Sequence, residues 1–380
     1  MAKAAYIGVD GAARKIRKMY VGVDGTARKV RRGYIGVGGV ARPWFSAEAA
    51  LAYYGTAEAL QDTVICAAAA ANDNYAIFAG GNTVLNTLAN VTAYDASLTK
   101  VTATSLSLAR KWLAAARVEN TNYVLFAGGY DSNATISTVV DAYDGSLTRS
   151  IPQSLASGVY YLAGTSFSGY AIFAGGQTTS VARSYTNAYD TSLTRNRPSN
   201  LSAARSHLSG ASNDAYALFA YGTDTNYVKN TLDCYNTSMT RSSTTMNSRK
   251  RDAAAAKTGN IALFAGGYDD DSGYFSNVET VNNSLTKSNA AALSSPKADF
   301  PGVEIGPFAF FAGGRLSKTS NIYTADAVSY DQNLTQKTEA KMSAEKADHS
   351  AAVIGSFALI GGGKTTSADL LSSVDVYKLT

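Results

Sequence analysis

The side chains able to do chemistry are few and scattered. The 380 residues include two histidines, His207 and His349, and two cysteines, Cys66 and Cys234, with no Cys-x-x-Cys pair and no Cys/His cluster. A metal centre built on the histidines requires the two to meet across the fold; two hydrogen-bonded structural histidines are the simpler reading. The cysteines read as small buried core residues, so neither a disulfide framework nor a zinc site is expected. The run Asp269-Asp-Asp-Ser-Gly273 offers carboxylates to calcium, but it lacks EF-hand spacing and reads as an exposed acidic loop. The expectation is a protein with no catalytic residues, no metal and no cofactor, hence not an enzyme. What recurs instead is recognition chemistry. Tyr130, Tyr185, Tyr227, Tyr268, Tyr274, Phe275, Arg315 and Tyr323 stand in segments rich in Ser, Thr, Asn and Gly, and Arg110, Arg205, Arg249, Lys297 and Lys346 recur at near-regular intervals. Rigid aromatic anchors in adaptable polar surroundings are what a binding surface uses.

The elements that position these residues show up as repeats. One phrase, an apolar strand ending in a Gly pair, occurs seven times: Tyr75-Ala-Ile-Phe-Ala-Gly-Gly81 and its counterparts ending at Gly129, Gly176, Gly222, Gly267, Gly314 and Gly363. At the fourth residue of each phrase the spacings are 48, 47, 46, 45, 47 and 49. A second phrase follows each: Ala93-Tyr-Asp-Ala-Ser-Leu-Thr99 in the first copy, and in the last a truncated Val376-Tyr-Lys-Leu-Thr380. Each period accommodates four strands, the size of one propeller blade. The strand before each Gly-pair strand is rich in Ala, Gly and Ser, as at Ala253 to Ala256, which suits the crowded axis of a ring. The Gly pair supplies positive φ, and the Asp or Asn of the second phrase caps a tight turn. The seventh copy stops short of its fourth strand, while residues 53–60 precede the first copy at the offset where a fourth strand belongs. The expected fold is therefore all-β: a seven-bladed propeller over 52–380, closed by an N-terminal strand so that no sheet edge is left open.

These phrases resemble the Kelch repeat, which places a Gly pair after an apolar strand and Tyr-Asp at the next. The usual Kelch Trp is replaced here by Leu98, Leu147, Leu193, Met239, Leu285 and Leu334. The resemblance covers nearly all of the propeller and implies a divergent, Kelch-like scaffold that binds things. It also implies that the loops after the Gly pairs share a face with the connections into the inner strands. That would set the recurrent Arg and Lys residues as a basic ring near the axis, rimmed by tyrosines and suited to an anionic glycan or acidic peptide. Galactose-oxidase-type copper chemistry needs a Tyr-Cys partner and paired His ligands, and sialidases carry Ser-x-Asp-x-Gly-x-Thr-Trp boxes; neither pattern occurs.

Residues 1–43 carry a different repeat with a period of 14: Tyr6-Ile-Gly-Val-Asp-Gly-Ala-Ala-Arg-Lys, then Tyr20-Val-Gly-Val-Asp-Gly-Thr-Ala-Arg-Lys and Tyr34-Ile-Gly-Val-Gly-Gly-Val-Ala-Arg-Pro. Asp-Gly between short β-branched runs predicts one hairpin per unit. Residues 1–42 hold ten Lys/Arg against Asp10 and Asp24, a net charge of +8, leaving −3 of the total +5 for the remainder. So short a segment cannot bury enough apolar surface to stand alone. It reads as an anchor arm, with Tyr6, Arg14, Lys15, Tyr20, Arg28, Lys29, Tyr34 and Arg42 as its contact set and 44–51 as a linker. The arm resembles N-terminal repeats of structural proteins of Firmicutes phages and prophages. Residues 1–11 contain no apolar run like a signal peptide and no stretch approaches the length of a membrane span, so synthesis in a host cytoplasm is expected; the resemblance implies a protein carried on a virion. On this reading the arm docks to particle proteins or to copies of itself, and the propeller binds a host-surface glycan or protein, or decorates the particle. The alternatives are an intracellular Kelch-type adaptor and, further off, a glycan-active enzyme; a nucleic-acid partner is not favoured, because no DNA-reading motif accompanies the basic residues.

Overall fold

The computed structural model describes residues 49–380 throughout and, before them, the backbone of six short strands between residues 6 and 46. Those six form three separate hairpins: Tyr6–Val9 with Ala12–Lys15, Met19–Val23 with Thr26–Val30, and Arg32–Val37 with Val40–Ser46. One hairpin per 14-residue unit is the expected pattern, and Tyr6 pairs with Lys15 as Tyr20 pairs with Lys29. The last strand continues to Ser46, so pairing runs into the stretch expected to be a linker; Trp44 and Phe45 favour extended backbone, and a bulge at Gly33/Tyr34 absorbs the extra residue. The side chains of the predicted anchor set lie outside the described residues.

A separate compact unit spans Leu51–Leu379 and is a seven-bladed β-propeller. Each blade is a four-stranded antiparallel meander; in the second the strands are Ala114–Arg117, Val124–Ala127, Val140–Tyr143 and Arg149–Ser150, from the axis outward. Inner strands of successive blades touch all the way round, including the seventh against the first. The taper leaves no room for a side chain at some points: a Cβ on Gly164 would sit 2.6 Å from the Ala115 carbonyl oxygen, and one on Gly210 2.7 Å from that of Gly164. The seventh blade takes its outer strand from the other end of the chain, Leu51–Ala57 pairing with Val374–Leu379, as the truncated last repeat predicts.

Apolar burial follows the blades. The core divides into seven clusters, each lying between two adjacent blades, such as Leu125, Val140 and Leu155 with Phe173 and Tyr189. The repeated Tyr of the second phrase fastens neighbours together. The hydroxyls of Tyr94, Tyr143, Tyr189, Tyr235 and Tyr330 donate to carbonyls at Glu58, Thr104, Gln153, Ser199 and Ala291, each just beyond the outer strand of the preceding blade. The Asp after it caps its turn as expected: Asp95 Oδ1 accepts from the amides of Ser97 at 2.8 Å and Thr99 at 2.9 Å, with Leu98 at φ 64°. Among the described residues no helix is long and apolar enough to cross a membrane.

Candidate functional site

Each blade is entered by a connection whose residue two places before the inner strand, or three in the sixth blade, has positive φ. The seven are Cys66, Trp112, Tyr161, His207, Asp252, Asp299 and Asp348, with φ between 54° and 58°. Their backbones close on one another. Each amide donates to the carbonyl of the equivalent residue one blade back, from Trp112 to Cys66 at 3.1 Å round to Cys66 to Asp348 at 3.0 Å, making a ring of seven hydrogen bonds about the axis. Left-handed backbone in non-glycine residues costs roughly 1–2 kcal/mol apiece, and the ring bonds help to offset it. Such outliers cluster where side chains must be aimed at one place.

All seven side chains line a cavity of about 710 Å³ on the axis, within the range of roughly 300–1,000 Å³ typical of small-molecule sites. The ring has two chemical halves. On one side Trp112 lies 4.8 Å from Tyr161, and Tyr161 stacks on His207 at 3.8 Å with the planes 29° apart. On the other stand three carboxylates. Asp252 accepts at 2.8 Å from His207 Nδ1, which fixes the tautomer with the proton on Nδ1 in the neutral imidazole. Burial alone would raise Asp252, but His207, Arg251 and Arg315 hold it below the usual carboxylate range. Asp299 goes the other way: burial, then the charges of Asp252 and Asp348, push it up to about 8. Arg315 bridges the last two, Nε 3.1 Å from Asp299 and Nη2 3.0 Å from Asp348, and Lys364 Nζ reaches Asp348 at 3.0 Å.

A second tier surrounds the ring. The residue just before each ring member forms a backbone bridge to the residue just after the Gly pair of the same blade, as in Lys111 with Tyr130, Tyr160 with Gln177, Arg251 with Tyr268 and Ala298 with Arg315. These bridges place Tyr130, Tyr268 and Arg315 at the rim. Tyr130 and Tyr160 extend the aromatic half, 5.9 and 5.8 Å from Trp112, and the Lys111 amine lies 4.3 Å from the Trp112 ring. Tyr268 and Tyr274 face each other at 4.9 Å on the acidic side.

Three of the aromatic and basic residues singled out in sequence thus line the mouth, Tyr268, Tyr274 and Arg315, and a fourth, Tyr130, packs against Trp112. Others do not. Tyr227 is exposed at a loop tip, Tyr185 lies beneath Arg197, Phe275 lies near Lys250, and Tyr323 is buried under Arg315. The expected basic ring does not exist. Arg110 and Arg205 are wholly buried inside their blades, paired with Asp141 at 2.8 Å and Asp233 at 2.7 Å. Lys346 pairs likewise with Asp375 at 2.8 Å, and it is Lys250, next to the expected Arg249, that takes this position, 3.6 Å from Glu279. Arg249 itself is half exposed near Asp269 and Asp271. In four blades the recurrent cation is thus one half of an internal ion pair, the arrangement that offsets the cost of burying a charge.

The two histidines lie apart in role. His349 sits in blade seven with Nε2 donating to the Ala312 carbonyl, and burial, with Lys346 beside it, lowers it to about 3, so its ring is neutral. The acidic run differs from an exposed loop at its first residue: Asp269 is buried, accepting from the amides of Asp271 and Ser272. Cys234 is buried as expected, whereas Cys66 is a ring member. The signal for the ring was in the sequence, two or three positions before each inner strand, but it is carried by position and not by residue type.

Comparison with known proteins adds the fold. No protein-family model matches the chain, and no curated protein matches it. Solved structures do. One, described as "Structure of YjhT", superposes with a TM-score of 0.57 over 85% of this chain and 99% of that one, at 12% identity. The chain is similar to YjhT in fold. Identity this low carries the architecture alone; what the mouth binds has to be argued from its own side chains.

Proposed function

We propose that the protein is a non-catalytic binding component of a phage or phage-like particle, whose hairpin arm docks to the particle and whose Kelch-like propeller presents the axial mouth to a host-surface ligand. The observation that carries the binding half is the two-tier mouth: seven side chains held on the axis by a closed backbone ring, with aromatic and Arg residues at the rim. Aromatic and Arg side chains around a concave site are what recognition surfaces enrich. The anchoring half rests on the threefold basic repeat of residues 6–42 and its resemblance to phage structural proteins. The corrected placement of Arg110, Arg205 and Lys346 removes the argument for an anionic ligand.

The test is co-sedimentation. The full chain and residues 49–380 are each expressed in the producing host, and particles are separated on a gradient. The expected result is the full chain in the particle fraction and the truncated chain at the top. Absence of both from particles would overturn the particle reading and leave an intracellular adaptor; turnover of a surface polysaccharide by the isolated protein would overturn the non-catalytic one.

A further inference from the structure

We infer that the axial mouth takes the terminal ring of an uncharged glycan, seated with one face on Trp112 and its hydroxyls on the Asp252, Asp299, Asp348 and Arg315 side. The inference rests on the reading of the mouth as the binding site. Three observations carry it.

The two halves of the ring match the two kinds of surface on a pyranose. A sugar ring presents an apolar C–H face and an equatorial belt of hydroxyls. Trp112 and Tyr161, with Tyr130 behind them, supply a rigid apolar platform with polar edges. Carboxylates and a guanidinium across the cavity supply acceptors and paired donors for neighbouring hydroxyls.

Charge excludes the other sugar classes. The cations on the acidic side of the cavity are already engaged: Arg315 and Lys364 on Asp299 and Asp348, and Arg251 and Lys318 on Asp270 at 3.0 and 3.3 Å. On this side of the cavity a sialic or uronic acid carboxylate would meet the charged Asp252 and Asp348, with Asp299 holding its proton, and no unpaired cation among the described residues; the Lys111 amine lies across the mouth, over Trp112. The aspartates are engaged in turn by Arg315, Lys364 and His207, which leaves none for an added ammonium. Shape sets the mode of entry. The mouth is bounded on every side by one unbroken backbone ring, so a chain end or side branch fits it and the middle of a polymer does not.

The experiment is saturation-transfer NMR on the full-length protein. The probes are the methyl glycosides of glucose, galactose, mannose and N-acetylglucosamine, with glucuronic acid, N-acetylneuraminic acid and glucosamine as charged counterparts. The expected result is binding of at least one neutral glycoside and of no charged sugar. Trp112→Ala should weaken that binding by about tenfold, the size of a lost stacking contact, and Tyr268→Ala, at a position lining the cavity outside the strained ring, should weaken it as well, with the melting temperature of each variant measured alongside. Binding confined to charged sugars overturns the inference, as does neutral-sugar binding that survives both substitutions. If no sugar binds while the protein still adheres to host cells through the mouth, the glycan inference falls and the binding-site reading stands. If adhesion is also absent or survives both substitutions, both fall.

Discussion

Asp299 shows how much the mouth changes a single group. Its carboxyl is set between Asp252 and Asp348 and pushed up to about 8, with Arg315 and Lys364 opposing the shift. An unfolded aspartate releases its proton near pH 4. Between that point and pH 8 the folded state holds a proton the unfolded state has lost, so stability from this group falls as pH rises, by up to about 1.4 kcal/mol per pH unit, and levels off above pH 8. Asp299→Asn should flatten that decline and melt higher than the parent at pH 8, as urea titrations at pH 5 and pH 8 will show; an unchanged pH profile would contradict the assignment. Tyr221 makes a related point about legibility. It replaces the first Gly of the fourth Gly pair, keeps that position's positive φ of 63°, and is fully buried edge-on to Phe264 at 5.7 Å. The sequence displays the exception but not its compensation. The equivalent glycines abut leucines, Gly80 against Leu113 and Gly128 against Leu162, whereas the residue in Leu113's position for Tyr221 is Ala253.

Within a blade the informative unit is the pair formed by the connection and the third strand. Where the connection carries Arg110, Arg205, Lys250 or Lys346, the third strand carries Asp141, Asp233, Glu279 or Asp375; where it carries Val64 or Val159, the third strand has Thr92 or Asn187. Asp141→Ala should therefore strand a buried guanidinium and cost about 3–5 kcal/mol, measured by chemical denaturation. The sixth blade breaks the rule. Lys297 is buried over Phe300 at 4.9 Å, the matching third-strand residue is Val328, and burial lowers the amine to about 8. The folded state then binds fewer protons than the unfolded between pH 8 and about 10.5, so the penalty is full below pH 8 and fades as pH rises. Lys297→Met should stabilise the protein at pH 7 by roughly 1–3 kcal/mol. Val328→Asp should be better tolerated with Lys297 present than in the Lys297→Met background, a double-mutant cycle that a misplaced Lys297 would fail. The recurrent cations were legible as a pattern, but their destination was not, because a one-dimensional period does not say whether a side chain turns toward the axis or into its own sheet.

The ring as a whole depends on its closure. Removing residues 51–57 would expose Val374–Leu379 as an edge and take Leu51 from the cluster between blades six and seven. That deletion should lower the melting temperature and promote aggregation, whereas removing residues 1–48 should leave the melting transition of the propeller in place; calorimetry and light scattering distinguish the two. Blade number, strand order and this closure were determined by the sequence itself, because they follow from local rules repeated seven times: small residues at the axis, a Gly pair, a capped turn, and a missing strand made good at the other end. The site was decided by the tertiary structure. Cys66, Trp112, Tyr161, His207, Asp252, Asp299 and Asp348 comprise five residue types and lie 45 to 49 positions apart. They become one surface only because seven left-handed residues meet around an axis, and no local rule connects one blade's side chain to the next.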